Sequence, residues 1–442
     1  MLDFLRAPVC PVPARVQAWQ ELRMTQLVRR LGVERVLRAP VATPTRDCFP
    51  ELFERGGCDV DVLLRRTAAL LGVDASGIAL EVVPDDALTE AAGSYSLPAS
   101  GPLIRVPASH IARPERLVAT LFHELSHHLL IVEAGFPHDD PEHEFLTDLV
   151  PALLGAGLFA ANTAESTTHE PFDPRRWTVA RQGYWSVPAH AHALALFASF
   201  RGEKRPRWRK HMRRDVRVAF DASSRHLRRV PGCRFDPRHV TGAPRHEPDS
   251  SVLVELSSVR PASVLLALWE LDAERWHPRH EPALLALLEH ADPSVAAEAL
   301  AVAVRRAVAR ERVVAVLSDR ASSRDPLLRA AAIRAFAQLS PLPIAAPHAF
   351  HAALADVDDD VRAAACEAIA ETAASSGALR ERLATLVGRA HLDCDDEDTA
   401  MYLSALASIA PDARALLREH APEVDWSAAE ALLRRAESGT EG

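Results

Sequence analysis

Residues 325–333 read DPLLRAAAI, an aspartate-led turn followed by a helix-forming run with an apolar stripe. Nearly the same wording stands 33 residues earlier as DPSVAAEAL (292–300) and 33 residues later as DDDVRAAAC (358–366). Val295, Leu328 and Val361 therefore fall in phase, and a looser copy, DEDTAMYLSAL, occupies 396–406. One turn plus one amphipathic helix cannot bury its apolar face alone, whereas stacked copies bury one another. The period thus predicts an all-α helical solenoid over residues 262–438.

The D-D-x-V-R-x-A-A wording of the copies resembles HEAT repeats, over roughly 262–436. That resemblance implies a protein partner, either substrate or regulator, held on a long concave face. Upstream, residues 229–262 are rich in Pro, Arg, Asp and Ser and have no period. This is where the chain is expected to divide: a first domain over 1–232, a linker over 233–261, and the solenoid beyond.

A length of 442 residues calls for more than one core, and 48% hydrophobic with 25% charged residues is a soluble globular balance. A net charge of −9 implies no global attraction to nucleic acid or to a membrane surface. The first residues, MLDFLRAPVCPVPARVQAWQ, lack a basic stretch followed by a long apolar one, and no run reaches roughly 18 uninterrupted apolar residues. The six cysteines are scattered, with no CxxC spacing. These features place the protein in the reducing cytoplasm as an expectation. Cys48 and Cys58 are the only pair close enough in sequence to raise a disulfide or metal role.

The first domain reads as α+β. Residues 14–31 form a helix ended by Gly32, and Asp59 caps a second that ends at Gly72. The period then shortens to that of strands in IALEVV (78–83), GSYS (93–96) and PLIRV (102–106). Pro114 opens a further helix that Gly135 closes, and after FPHDDP a third strong helix is expected from Pro141 to about 160, kinked at Pro151.

Inside the helix that starts at Pro114 stands LFHELSHHLL (121–130). His123 and His127 lie about 40° apart around a helix and about 6 Å apart along it, so two imidazoles can grip one ion. Glu124 projects beside them, where it can take a proton from an activated water. His128 points about 100° away and is read as a flank. The bland alternative is a pair of core histidines with hydrogen-bond partners. A catalytic zinc normally takes three protein ligands, and Glu142, His143, Glu144 and Asp148 on the next helix are the candidates for the third.

With HExxH followed by acids on a later helix, residues 78–160 resemble the gluzincin zinc metallopeptidases, nearest in layout to the ImmA/IrrE-like branch. The resemblance implies a small zincin-like catalytic domain and Zn2+ held by His123, His127 and Glu144. It also implies Glu124 as the catalytic base and Asp148 behind a ligand histidine. Thr147 departs from the family pattern, where alanine is usual. A level hairpin would set Asp148 opposite His127, so Asp148 stays open as the alternative ligand. In such enzymes an edge strand beside the metal helix pairs with the substrate backbone, a role for which PLIRV is the candidate.

Tyr184, His190 and His192 are candidate donors to a transition-state oxyanion. From Arg201 to Arg229 the chain holds 12 Lys/Arg against 3 Asp/Glu, a stretch that reads first as a solvated basic face and second as a nucleic-acid contact. The sequence as a whole is read as an intracellular zinc metallopeptidase acting on a protein or peptide, with a repeat domain for partners. The competing reading is a non-catalytic, zinc-containing HEAT-repeat interaction protein.

Overall fold

The computed structural model describes residues 9–53, 59–88, 92–164, 185–241, 250–271, 275–373, 376–392, 396–422 and 424. The chain forms two compact units: residues up to 247 together with 258–266, and residues 248–257 together with 267 onward. Cys58 lies outside the described residues, and Cys48 is a half-buried free thiol.

In the first unit, α1 (Ala14–Leu31) buries Met24, Leu27 and Val28, and Gly32 ends it. The carboxylate of Asp59 accepts the N–H groups of Asp61 and Val62 at 3.0 and 3.1 Å, which starts α2 (Val60–Leu71). Strands β1 (Ala79–Val83), β2 (Ser94–Ser96) and β3 (Leu103–Pro107) form a three-stranded sheet in the order β1-β3-β2, with β1 parallel and β2 antiparallel to β3. β3 is therefore the centre of the sheet, paired on both sides, and not the edge expected of PLIRV. Ile104 and Val106 are fully buried. Alternation of buried positions marks a strand but says nothing about whether it is central. The edge beside the metal-motif helix is β2.

That helix, α3 (Pro114–His128), buries Leu117, Val118, Leu121, Phe122 and Leu125, and passes into one π turn at Leu129–Glu133. Behind it, Phe49, Phe122 and Phe159 meet edge to face or tilted, with centroids 5.0–6.3 Å apart. The connection to α4 (His143–Leu153) does not turn level: it returns to α3, setting His143, the first residue of α4, beside His127 with Nε2 and Nδ1 3.1 Å apart. α4 starts at His143 rather than Pro141, because the Asp140 carboxylate and carbonyl take the N–H groups of Glu142 and His143, both at 2.8 Å.

The long helix expected from Pro141 is two helices, α4 and α5 (Gly157–Thr163), bent by 117°. The bend falls after Leu153, not at Pro151, which stays inside α4. Gly155 adopts φ 82°, and a Cβ there would stand 2.4 Å from the Pro40 carbonyl oxygen. Only glycine lets the chain turn that close to residues 40–42. α6 (Val187–Phe200) and α7 (Arg214–Arg229) complete the unit.

Residues 233–235 and 260–261, at the two ends of the segment read as a linker, pack into the first unit. Phe235 is buried and stacks on Phe200, with centroids 4.5 Å apart. Arg260 is 1% exposed and forms an ion pair with fully buried Glu21, donating also to the Gly232 carbonyl at 3.3 Å. Arg234 N–H donates to Glu21 at 2.9 Å, and Ser263 Oγ to the Gly232 carbonyl at 3.0 Å. These bonds tie residues 232–235 and 260–263 to α1. The border between the units falls within the helix Pro261–Glu270, so the solenoid does not begin at 262.

The second unit is a stack of helix pairs. Asp292, Asp325 and Asp358 each cap a helix, accepting the N–H two residues on at 3.0, 2.9 and 3.1 Å: α9 (Pro293–Arg305), α11 (Pro326–Ala337) and α13 (Asp359–Thr372). Each is preceded by a partner helix: α8 (Glu281–Leu287), α10 (Arg310–Arg320) and α12 (Ala346–Ala353). Val295, Leu328 and Val361 are buried at equivalent places. Arg329 pairs with Asp356, and Arg362 with Asp398, so adjacent copies are also linked through their turns. α14 (Gly377–Leu392) precedes the looser copy, α15 (Asp396–Ile409), and α16 (Ala413–His420) follows. Among the described residues no single helix is long and apolar enough to cross a membrane.

Candidate metal centre

The return of the connection to α3 decides the site. α4 begins beside His127, so Glu144 reaches both histidines and Asp148, one turn further, reaches His123. Glu144 Oε2 lies 3.4 Å from His123 Nε2, and Glu144 Oε1 3.7 Å from His127 Nε2. One ligand atom from each of the three side chains falls within a span of 4.8 Å. The His123 and His127 rings stand 5.0 Å apart at 81°. Zinc–ligand bonds of about 2.0–2.1 Å imply tetrahedral edges of roughly 3.3 Å, near the two carboxylate separations. Two imidazole nitrogens and one carboxylate oxygen are also the donor types zinc takes, so the residues present fit that ion.

Asp148 does not join this trio. Its Oδ1 is 2.9 Å from His123 Nδ1, where a carboxylate can only accept. His123 therefore carries a proton on Nδ1, and its Nε2, the nitrogen left to meet an ion, faces Glu144. Burial works against a charged His123, but the bonds to Asp148 and Glu144 hold its pKa well above the usual range. At His127, burial and the neighbouring His123 and His143 push the other way, well below it.

Glu124 is 3% exposed, and its Oε2 has no hydrogen-bond partner among the described residues. Burial pushes its pKa up to about 7, against the pull of His123. Gly93, at the head of β2, leaves it room: a Cβ there would stand 2.6 Å from both Glu124 Oε1 and Thr120 Cγ2. A buried carboxyl that titrates near neutrality beside an ion-binding trio can accept a proton and return it.

Sequence reading missed Tyr95, and it named His143 as a candidate third ligand where the structure sets it, with Thr147, behind His127. Tyr95 on β2 lies parallel to His127, with centroids 6.1 Å apart, and its hydroxyl meets His128 Nδ1 at 3.0 Å. His128 is thus a bracket for Tyr95. His143 Nε2 lies 3.1 Å and Thr147 Oγ1 3.4 Å from His127 Nδ1. Their positions four apart on α4 were a usable signal, since i and i+4 share a helix face.

Of the proposed oxyanion donors, Tyr184 lies outside the described residues. His190 is buried against Trp185 and close enough to Asp148 and His123 for their charges to act on it. His192 is not brought to the site: its Nδ1 donates to Gln20 Oε1 at 2.7 Å, on the α1 side of α6. In the basic stretch, Arg201, Arg209 and Arg213 pair with Glu203, Asp221 and Asp215, while Trp208 is buried against Phe220. Lys204, Arg205, Arg207, Lys210 and Arg214 are exposed.

Residues 281–370 match the family model of HEAT repeats. No curated protein matches the chain. The matched stretch spans α8 to most of α13, so the second unit carries HEAT repeats, an architecture that presents protein-binding surface.

Proposed function

We propose that the first unit is a zinc-dependent peptidase, and that the HEAT repeats recognise its protein substrate or a protein regulator. The observation that supports this most is the junction of a trio able to hold an ion with a buried carboxyl whose Oε2 has no hydrogen-bond partner among the described residues. A structural zinc site has no use for such a carboxyl.

Zinc bound by His123, His127 and Glu144 would polarise a peptide carbonyl and acidify a water. Glu124 takes the proton of the attacking water and gives it to the leaving amine, a double duty that a pKa near neutrality suits. Asp148 orients His123, and Gly93 keeps the Glu124 carboxylate unobstructed. β2 borders Glu124 through Gly93 and offers a sheet edge to which an extended peptide can add by main-chain hydrogen bonds. Among the described residues His190 is the donor candidate that remains for the oxyanion.

The test begins with metal content: the purified protein holds about one zinc per chain, and His123→Ala with His127→Ala empties it. Glu124→Gln keeps shape and zinc but cannot accept a proton. Hydrolysis of an unfolded, labelled protein should then fall at least about 100-fold. A zinc-loaded wild type that hydrolyses nothing, or a Glu124→Gln protein as active as wild type, removes the peptidase reading.

A further inference from the structure

Among the described residues His127 has no carboxylate at its Nδ1, in contrast to His123. That nitrogen meets the imidazole of His143 and the hydroxyl of Thr147. The proton positions in this group follow from groups that have no choice. The Pro137 carbonyl can only accept, and it lies 3.0 Å from His143 Nδ1, so that nitrogen carries a hydrogen. His143 is buried, and with its Nδ1–H spent on the Pro137 carbonyl a neutral ring presents a lone pair at Nε2. Thr147 has one hydroxyl proton and gives it to the His143 carbonyl at 2.9 Å, so it too can only accept at its other side. Two acceptors therefore converge on His127 Nδ1.

The ring geometry agrees. The His127 and His143 planes differ by 17° with centroids 5.1 Å apart. With nitrogens 3.1 Å apart, this is two imidazoles joined nearly in plane by an N–H···N bond, not a face-to-face stack.

We propose that His143 and Thr147 are positioning residues that lock His127 in the Nδ1–H tautomer and thereby leave its Nε2 lone pair, on the side of Glu144, for the ion. An unconstrained neutral histidine favours the proton on Nε2, which would block ligation there. The chain from the Pro137 carbonyl through His143 to His127 does with neutral groups what Asp148 does for His123 with a charge. The proposal also gives Thr147, the departure from the family pattern, a task that alanine could not perform. It rests on the metal reading of the site only for its affinity arm.

The experiment uses the full-length protein with 15N-labelled histidine, first without metal. In long-range 1H–15N spectra above pH 7, His127 should show a protonated Nδ1 and an unprotonated Nε2, with its signals assigned from a His127→Gln sample. His143→Leu combined with Thr147→Val should return the proton to Nε2 and weaken zinc binding by roughly 10–100-fold in a chelator competition. His143→Gln with Thr147 intact keeps an acceptor near the place of Nε2, so tautomer and affinity should stay close to wild type; this separates positioning from packing if the double variant is poorly folded. Wild-type His127 with its proton on Nε2, or a His143→Gln protein that loses both tautomer and affinity, overturns the proposal. A wild type that takes no zinc overturns the metal reading instead, and the metal-free spectrum still decides the tautomer.

Discussion

In the second unit the polar groups that matter sit at the turns, in phase: Asp292, Asp325 and Asp358 cap successive helices, and Arg329 and Arg362 link one copy to the next. In the first unit they sit inside. Glu21 and Arg260 are paired within the core, His192 is buried against Gln20, and Glu124, His127 and His143 line the candidate centre. A repeat spreads its stability over many equivalent small interactions. A core that encloses charges concentrates stability in a few, because removing one partner strands the other. The unit with the chemistry should therefore be the fragile one.

The sharpest way to break that contrast is Arg260→Ala. It leaves the Glu21 carboxylate fully buried without its counter-ion, and the loss should be about 3–5 kcal/mol. A protein ending at residue 235 loses the same partner and should be poorly folded, whereas one ending after 266 retains it. Urea unfolding followed by the first unit's Trp19, Trp185 and Trp208 measures this. A change below about 1 kcal/mol would place Arg260 among ordinary surface substitutions and void the comparison.

Next in size is acid sensitivity. Burial, with Arg260 and His226 nearby, pushes His192 down to about 3 from 6.5. Its Nε2 has no hydrogen-bond partner among the described residues, so a proton added there gains none. Below the unfolded pKa the unfolded chain binds a proton that the folded one refuses. Stability is thus intact above about pH 6.5 and falls as pH drops toward about 3, by about 2 kcal/mol at about pH 5. His192→Asn retains an N–H for Gln20 and cannot titrate, so it should flatten this part of the profile. An unchanged profile would mean that other groups carry the acid response.

At the candidate centre, Glu144→Ala should remove most zinc, while Asp148→Ala should weaken binding by roughly 10–100-fold, about 1.4–2.7 kcal/mol. The reverse ranking in a chelator competition would transfer the ligand role to Asp148.

What could be read from the sequence follows the same division. The 33-residue phase located the repeats, and Asp59, Gly72 and Pro114 marked helix ends that the structure shows at those residues, because each signal lies within a few residues of its effect. The spacing of His123 and His127 belongs to this class. Arg260 and Glu21 are 239 positions apart, and no period links them. The bend at Gly155 depends on Pro40, and the central place of β3 depends on partners on both sides, so local composition pointed to Pro151 and the family resemblance to an edge strand. Level-hairpin counting failed because the connection returns to α3 at His127 and sets His143 there.

The smallest effect tests the repeat unit on its own ground. Asp325→Ala removes the acceptor for Leu327 N–H at the start of α11 and leaves Pro326 and the apolar stripe untouched. The expected loss is about 1 kcal/mol, within the 0.5–2 kcal/mol range of such caps. Because Asp292 and Asp358 make the same bond, Asp292→Ala and Asp358→Ala should cost about the same, within roughly 0.5 kcal/mol. Interior caps should not differ in rank if each copy leans only on its neighbours. Zinc content and the pH response of the first unit should stay at wild-type values in all three variants. A loss of several kcal/mol at one cap, or a fall in zinc with any of them, would show that the repeats do not share their stability evenly.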